Sequence, residues 1–123
     1  TDDKQLIQRL VQVYFDSMYY SSKDKVNEAF HPSAMITGVF QGNFTEMTRD
    51  AFGNFVASRQ PSPKDKGEEE RLEILSVDIA GETAVTRVRD DYQGLTFLDT
   101  LSLVKTDGQW SIYNKLYHIE GDA

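Results

Sequence analysis

The chain has 123 residues, 13 basic and 20 acidic side chains, a net charge of −7 and no cysteine. That length suits one domain, spanning 1–123, around one core. An acidic chain without a basic block argues against nucleic-acid phosphates and anionic membranes as partners, and the absence of cysteine removes disulfides, thiolate metal sites and a cysteine nucleophile. No apolar run approaches the ~18 residues of a membrane span. Thr1-Asp2-Asp3 carries no signal-peptide pattern, so a cytoplasmic location is expected, with an export signal on a trimmed segment left open.

Residues 3 to about 20 read as an amphipathic helix, because Ile7, Leu10, Val11, Tyr14 and Met18 recur at three- and four-residue spacing. Asp2 or Asp3 can cap it. A short helix from Lys23 to Phe30 ends before Pro32, since the residue preceding proline avoids helical geometry. Ala34 to Phe40 alternates as a strand, Gln41-Gly42-Asn43 turns, and a third helix runs from Thr48, as its cap, to Ser58. Residues 60–69 hold two prolines, a glycine and mostly charge, and read as an exposed, mobile loop. From Glu70 the period becomes two. Leu72 and Ile74 share one parity, and Leu75, Val77 and Ile79 the other, which predicts a bulge near Ile74-Leu75. Strands from Thr83 to Tyr92, Leu95 to Lys105 and Trp110 to His118 follow, joined by Gln93-Gly94 and by Asp107-Gly108, a hairpin signal. Helices followed by an antiparallel meander give an α+β fold, with the helices on one face of a curved sheet.

Strand alternation then sorts the side chains. Phe97, Asp99, Leu101 and Leu103 share a face, as do Trp110, Ile112, Asn114 and Leu116 on the partner strand, and Ala84, Thr86, Val88, Asp90 and Tyr92 on the preceding one. Turned toward the helices, these faces place Asp99, Asn114 and Asp90 among apolar neighbours, and leave Arg87 and Arg89 facing solvent or another subunit. A carboxyl there is costly when charged, so the titration of Asp99 should shift upward unless a partner is close. The competing reading has Asp99 wet at a strand end, or bonded to Asn114 as a fold-specifying pair.

His31 and His118 are the only histidines. His31 stands at a helix end, where bonding last-turn carbonyls is favoured over catalysis; His118 is expected at the rim. No histidine or carboxylate spacing makes a metal site, and no glycine-rich phosphate loop occurs, so neither metal nor cofactor is expected.

The helix bearing Tyr14, then Phe30-His31-Pro32 leading into Ala34-Met35-Ile36, and the closing run Leu101 to Leu116 with Asp107-Gly108, Trp110, Ile112 and Asn114-Lys115, resemble the nuclear transport factor 2-like superfamily. Within it the chain is most similar to the putative lumazine-binding branch, a bacterial group related to the SnoaL-like proteins. The resemblance covers nearly the whole chain. It implies a cystatin-like α+β barrel: a cone-shaped curved antiparallel sheet on three N-terminal helices, with a pocket between them and a homodimer through the outer sheet face. The superfamily includes ketosteroid isomerase, with a Tyr and a protonated Asp as oxyanion donors. Tyr14 and Asp99 match those two, but the position of its general base reads Gly38, and glycine cannot move a proton.

The resulting expectation is a domain binding a small apolar or aromatic molecule, with Tyr14, Met18, Ile36, Phe55, Asp90, Phe97, Asp99 and Asn114 at the ligand. The first alternative is a lyase or isomerase in which Tyr14 and Asp99 stabilise an oxyanion, with His31 or Asp90 as base. The second is an association module that dimerises through Val85, Arg87, Arg89 and Tyr113.

Overall fold

The structure, a computed structural model, describes residues 2–123; Thr1, the first residue of the expected domain, lies outside them. The elements run α1 (Asp3–Tyr19), α2 (Lys23–Ala29), β1 (Phe30–Phe40), β2 (Asn43–Thr48), α3 (Arg49–Ser58), β3 (Leu72–Ala80), β4 (Thr83–Tyr92), β5 (Leu95–Thr106) and β6 (Gln109–Asp122). The sheet has six strands in the order β2-β1-β6-β5-β4-β3. Its curved inner face carries the three helices, as an α+β architecture requires.

Three features differ from the sequence reading. Phe30 already begins β1, so Pro32 lies within a strand rather than at a helix end. Asn43–Thr48 forms an extra strand hairpinned to β1, so α3 follows two strands and is not part of an N-terminal helical block. The sheet is mixed rather than antiparallel, because β1 runs parallel to β6. The chain between those two strands includes α3 and four further strands, and parallel neighbours need a long connection of that kind, since a tight turn can only reverse the chain.

Local chemistry explains the ends of the helices. Asp2 caps α1 by accepting the Gln5 amide at 2.8 Å, and Thr48 caps α3 by accepting that of Ala51 at 3.1 Å. Asp3 serves a different purpose. Its Oδ1 accepts from Lys105 Nζ and Trp110 Nε1, each at 3.0 Å, and so ties the start of α1 to the β5–β6 hairpin. The Trp110 bond, then Lys105, holds its carboxyl below the usual range. The 60–69 loop is exposed for most of its length, but Ser62 and Pro63 are buried. The loop is docked to the end of α1, with the Lys64 amide donating to Tyr19 O and the Tyr19 hydroxyl to Glu68 O.

The sheet has several register shifts, and two of them bear on the sequence reading. The expected one is present: β3–β4 pairing passes from Ile74↔Val88 to Ser76↔Arg87, leaving Leu75 unpaired. The other has no signal in the sequence. Pairing of β5 with β6 passes from Leu103↔Ile112 to Ser102↔Asn114, so Tyr113 is the extra residue. Inserting one residue inverts the parity beyond it. Trp110 and Ile112 are buried as expected, but Leu116 is turned out, 49% exposed, and Lys115 is turned in, 5% exposed.

Replacing Thr48 by Ala should lower unfolding stability by about 1 kcal/mol, measured by urea titration. No change would show that the cap contributes nothing to holding α3.

Candidate functional site

Between the helices and the inner face of the sheet lies a cavity of about 370 Å³, within the range of small-molecule sites. Met18 of α1, Ile36 of β1, Phe55 of α3 and Phe97 of β5, all from the expected set, line it. Phe52, Met47, Leu95 and Tyr117 extend its apolar wall, and the polar lining comes from Thr45, Arg59, Tyr92, Gln93 and Lys115. Trp110 sits in the core and does not fill the space.

Tyr14, Asp90 and Asp99 are fully buried behind this wall rather than on it. Asp90 pairs across the sheet with Phe97, and Val88 with Asp99, which sets the two carboxyls diagonally on the inner face, opposite α1. The Tyr14 hydroxyl donates to Asp99 Oδ2 at 2.6 Å. It is therefore already engaged, and Asp99 acts there as an acceptor. Asp99 Oδ1 and both oxygens of Asp90 are buried without a hydrogen-bond partner. Burial, and next the charge of Asp99, push the Asp90 carboxyl well above the usual carboxylate range, against a weaker opposing pull from Lys115. Burial, followed by the two carboxyls, likewise pushes the Tyr14 phenol up. Burial and the neighbouring carboxyl therefore favour the protonated form of Asp90. Protonation converts one of its orphaned oxygens into a donor, and the neighbouring orphan is on Asp99.

Lys115 joins cluster and cavity. Its Nζ lies 4.8 Å from the centre of the Tyr14 ring, 4.9 Å from Phe52, 5.9 Å from Tyr117 and 6.0 Å from Phe97. Such faces attract a cation. Regular alternation from Trp110 points Lys115 to solvent; only the bulge at Tyr113 brings it in, and the strand carries no glycine before Gly121 to mark that bulge.

Asn114 is half-buried, with an unpartnered Oδ1, and does not line the cavity; it makes no bond to Asp99. His31 lies away from the cluster. Its Nδ1 accepts the Ser33 amide at 3.0 Å, not a role with helix-end carbonyls, and its ring packs on Tyr113 beside a hollow in the outer face. Gly38 does more than lack a base. A Cβ there would lie 2.5 Å from the Tyr117 ring, so the ring occupies the space where a side chain would project. The Tyr117 hydroxyl is in turn bonded to Thr45. Among the described residues no group of histidines and carboxylates could hold a metal ion, and no helix is long and apolar enough to cross a membrane.

The family described as putative lumazine-binding matches residues 2–118. A protein named aldolase FrzH, from Cladobotryum sp, is 26% identical over 105 residues, covering 85% of this chain and 82% of its own. Two solved structures share 25% identity: an NTF2-like protein of unknown function from Silicibacter pomeroyi, with a TM-score of 0.85 and 94% of each chain covered, and one from Methylobacillus flagellatus, with a TM-score of 0.86, covering 98% of this chain and 94% of its own.

Two outcomes test this geometry. A carboxyl whose folded-state pKa is raised favours the folded state fully below its unfolded value of ~3.9 and loses that contribution as pH rises through the folded value. Melting temperature should therefore fall from pH 5 toward pH 8 by an increment that Asp90→Asn removes, and an unchanged profile in that variant would place the Asp90 proton elsewhere. Gly38→Ala should destabilise by about 1–3 kcal/mol through overpacking against Tyr117, read from denaturant midpoints.

Proposed function

The chain belongs to the putative lumazine-binding family, and on that premise we propose that it binds a small molecule with an apolar or aromatic body in the cavity between helices and sheet. The observation that supports this most directly is the unfilled space of about 370 Å³, walled by Met18, Ile36, Phe55 and Phe97. A cavity of that size, lined by side chains that gain from dispersion contact, suits a ligand of roughly ten to fifteen heavy atoms, whose burial would return the contacts the empty space forgoes.

A second reading is favoured by the buried acids and by the relative named an aldolase. Making or breaking a carbon–carbon bond beside a carbonyl passes through an enol or enolate, and that needs one group to give a proton and another to take one. Asp90, whose burial favours its protonated form, is suited to give, and Asp99, already accepting from Tyr14, is suited to take, and because both lie behind the cavity wall the substrate in this reading must reach past that wall to meet them. In this reading Tyr14 and the two carboxyls act as one hydrogen-bonded unit, not as the pair of free oxyanion donors expected from sequence. The outer face, where Val85 and Tyr113 are exposed beside a hollow of about 550 Å³ and Leu116 is exposed as well, is proposed to associate with a second copy of the chain.

Three measurements decide among these. Small aromatic compounds that raise the melting temperature should lose that effect in Ile36→Phe, which fills the cavity; stabilisation that persists in the variant would place the ligand elsewhere. A ketone bound by the wild type should exchange its α-hydrogens in D₂O at least tenfold faster than with Tyr14→Phe or Asp99→Asn, and equal rates would leave binding without catalysis. Sedimentation as a monomer at micromolar concentration would remove the dimer.

A further inference from the structure

The cavity's polar groups are unbalanced. In a chain with seven more acidic than basic side chains, no Asp or Glu lines this space, whereas Lys115 and Arg59 both do. Neither is in an ion pair among the described residues. Arg59 is exposed at the rim, its guanidinium 4.5 Å over the Phe55 ring, while Lys115 lies deep. Two further donors on the lining, the Tyr92 hydroxyl and Gln93 Nε2, are buried with no partner of acceptable geometry. Aromatic faces attract the Lys115 ammonium but accept none of its three hydrogens in a full hydrogen bond. The Lys115 ammonium thus faces the cavity with no protein acceptor bonded to it, and a ligand that brings an acceptor would meet unused donors there.

Resting on the cavity reading above, we propose that the ligand is an anion: a carboxylate or enolate on an apolar or aromatic body, its charged end seated on Lys115 and its approach favoured by Arg59 at the mouth. The buried carboxyls do not fill this role themselves. Neither Asp90 nor Asp99 forms an ion pair with Lys115, whose Nζ lies more than 4.0 Å from their oxygens, so they leave its donors unbonded. The body of the ligand meets Met18, Ile36, Phe55 and Phe97, and its anionic end meets the Lys115 ammonium, with no carboxylate on the lining to oppose it. That division makes the site selective by charge as well as by shape, since a neutral analogue would leave the ammonium unsatisfied and a cationic one would oppose it.

Three isosteric probes test the proposal: 2-naphthoate, 2-naphthamide and 2-(aminomethyl)naphthalene, titrated calorimetrically into the wild type and into Lys115→Met and Arg59→Gln. The naphthoate is expected to bind at least tenfold tighter than the amide, and the amine more weakly than either. Lys115→Met should weaken naphthoate at least tenfold while leaving the amide within about twofold, which also shows that the variant's cavity is intact; Arg59→Gln should cost a smaller factor of about two to five. Amide binding as tight as naphthoate in the wild type would overturn the anion proposal and leave the cavity reading standing. A preference that survives in Lys115→Met would overturn the role of Lys115. No binding of any probe up to millimolar concentration would overturn the cavity reading itself. The wild-type series decides the ligand class even if Lys115→Met does not fold.

Discussion

Two carboxyls and a phenol share one buried place in this molecule, and the arrangement around it follows from keeping them there. The hydrogen bond from Tyr14 to Asp99 joins residues 85 apart in sequence, so it fixes α1 against the β4–β5 hairpin at a defined rotation and height. Burial and the neighbouring Asp99 carboxyl both raise the cost of ionising Asp90 on the adjacent strand, which favours its protonated form. An apolar set of similar volume could close the same space at no electrostatic cost. Three buried polar groups beside a cavity are therefore the feature of this core that packing alone does not call for.

The bulge at Tyr113 is the second determinant, because it converts an outward lysine into the floor of the cavity. Without it, Leu116 would face inward and Lys115 would be one more surface charge. With it, the interior gains an ammonium enclosed by four aromatic rings, within electrostatic reach of Asp90. Leu116 and Tyr113, displaced outward, join Val85 on the opposite face. One inserted residue thus shapes both the cavity and the surface proposed to meet a second copy.

Much of the fold is legible in the sequence because local signals there are strong and agree with the tertiary answer. Thr48 reads as a cap and is one, the parity slip at Leu75 reads as a bulge and is one, and the limits of β4 follow from alternation between two turns. Tyr14 and Asp99 read as inward because each sits among apolar neighbours of the same period. What is not legible depends on partners far along the chain. β2 is mostly polar and exposed, and it is a strand only because β1 offers it an edge. The parallel pairing of β1 with β6 sets Met35 beside Asn114, a contact no local pattern announces. The inward turn of Lys115 needs a bulge at a position where the sequence alternates smoothly. That same bulge carries Asn114 off the cavity wall, and the early start of β1 takes His31 away from a helix end.

Membership in the putative lumazine-binding family and the shared fold leave room for binders and enzymes alike. Gly38, with the Tyr117 ring where a side chain would stand, separates this chain from an isomerase that keeps its base there. The net charge of −7 also takes on a different meaning: this acidic chain encloses a cavity whose only charged lining residues among those described are the cations Arg59 and Lys115. The most direct measurement is a structure of the protein soaked with 2-naphthoate. The account predicts the ring between Ile36, Phe55 and Phe97 and a carboxylate oxygen about 3 Å from Lys115 Nζ. A carboxylate turned to solvent with Lys115 unmoved, or a naphthoate bound only on the outer face, would contradict it.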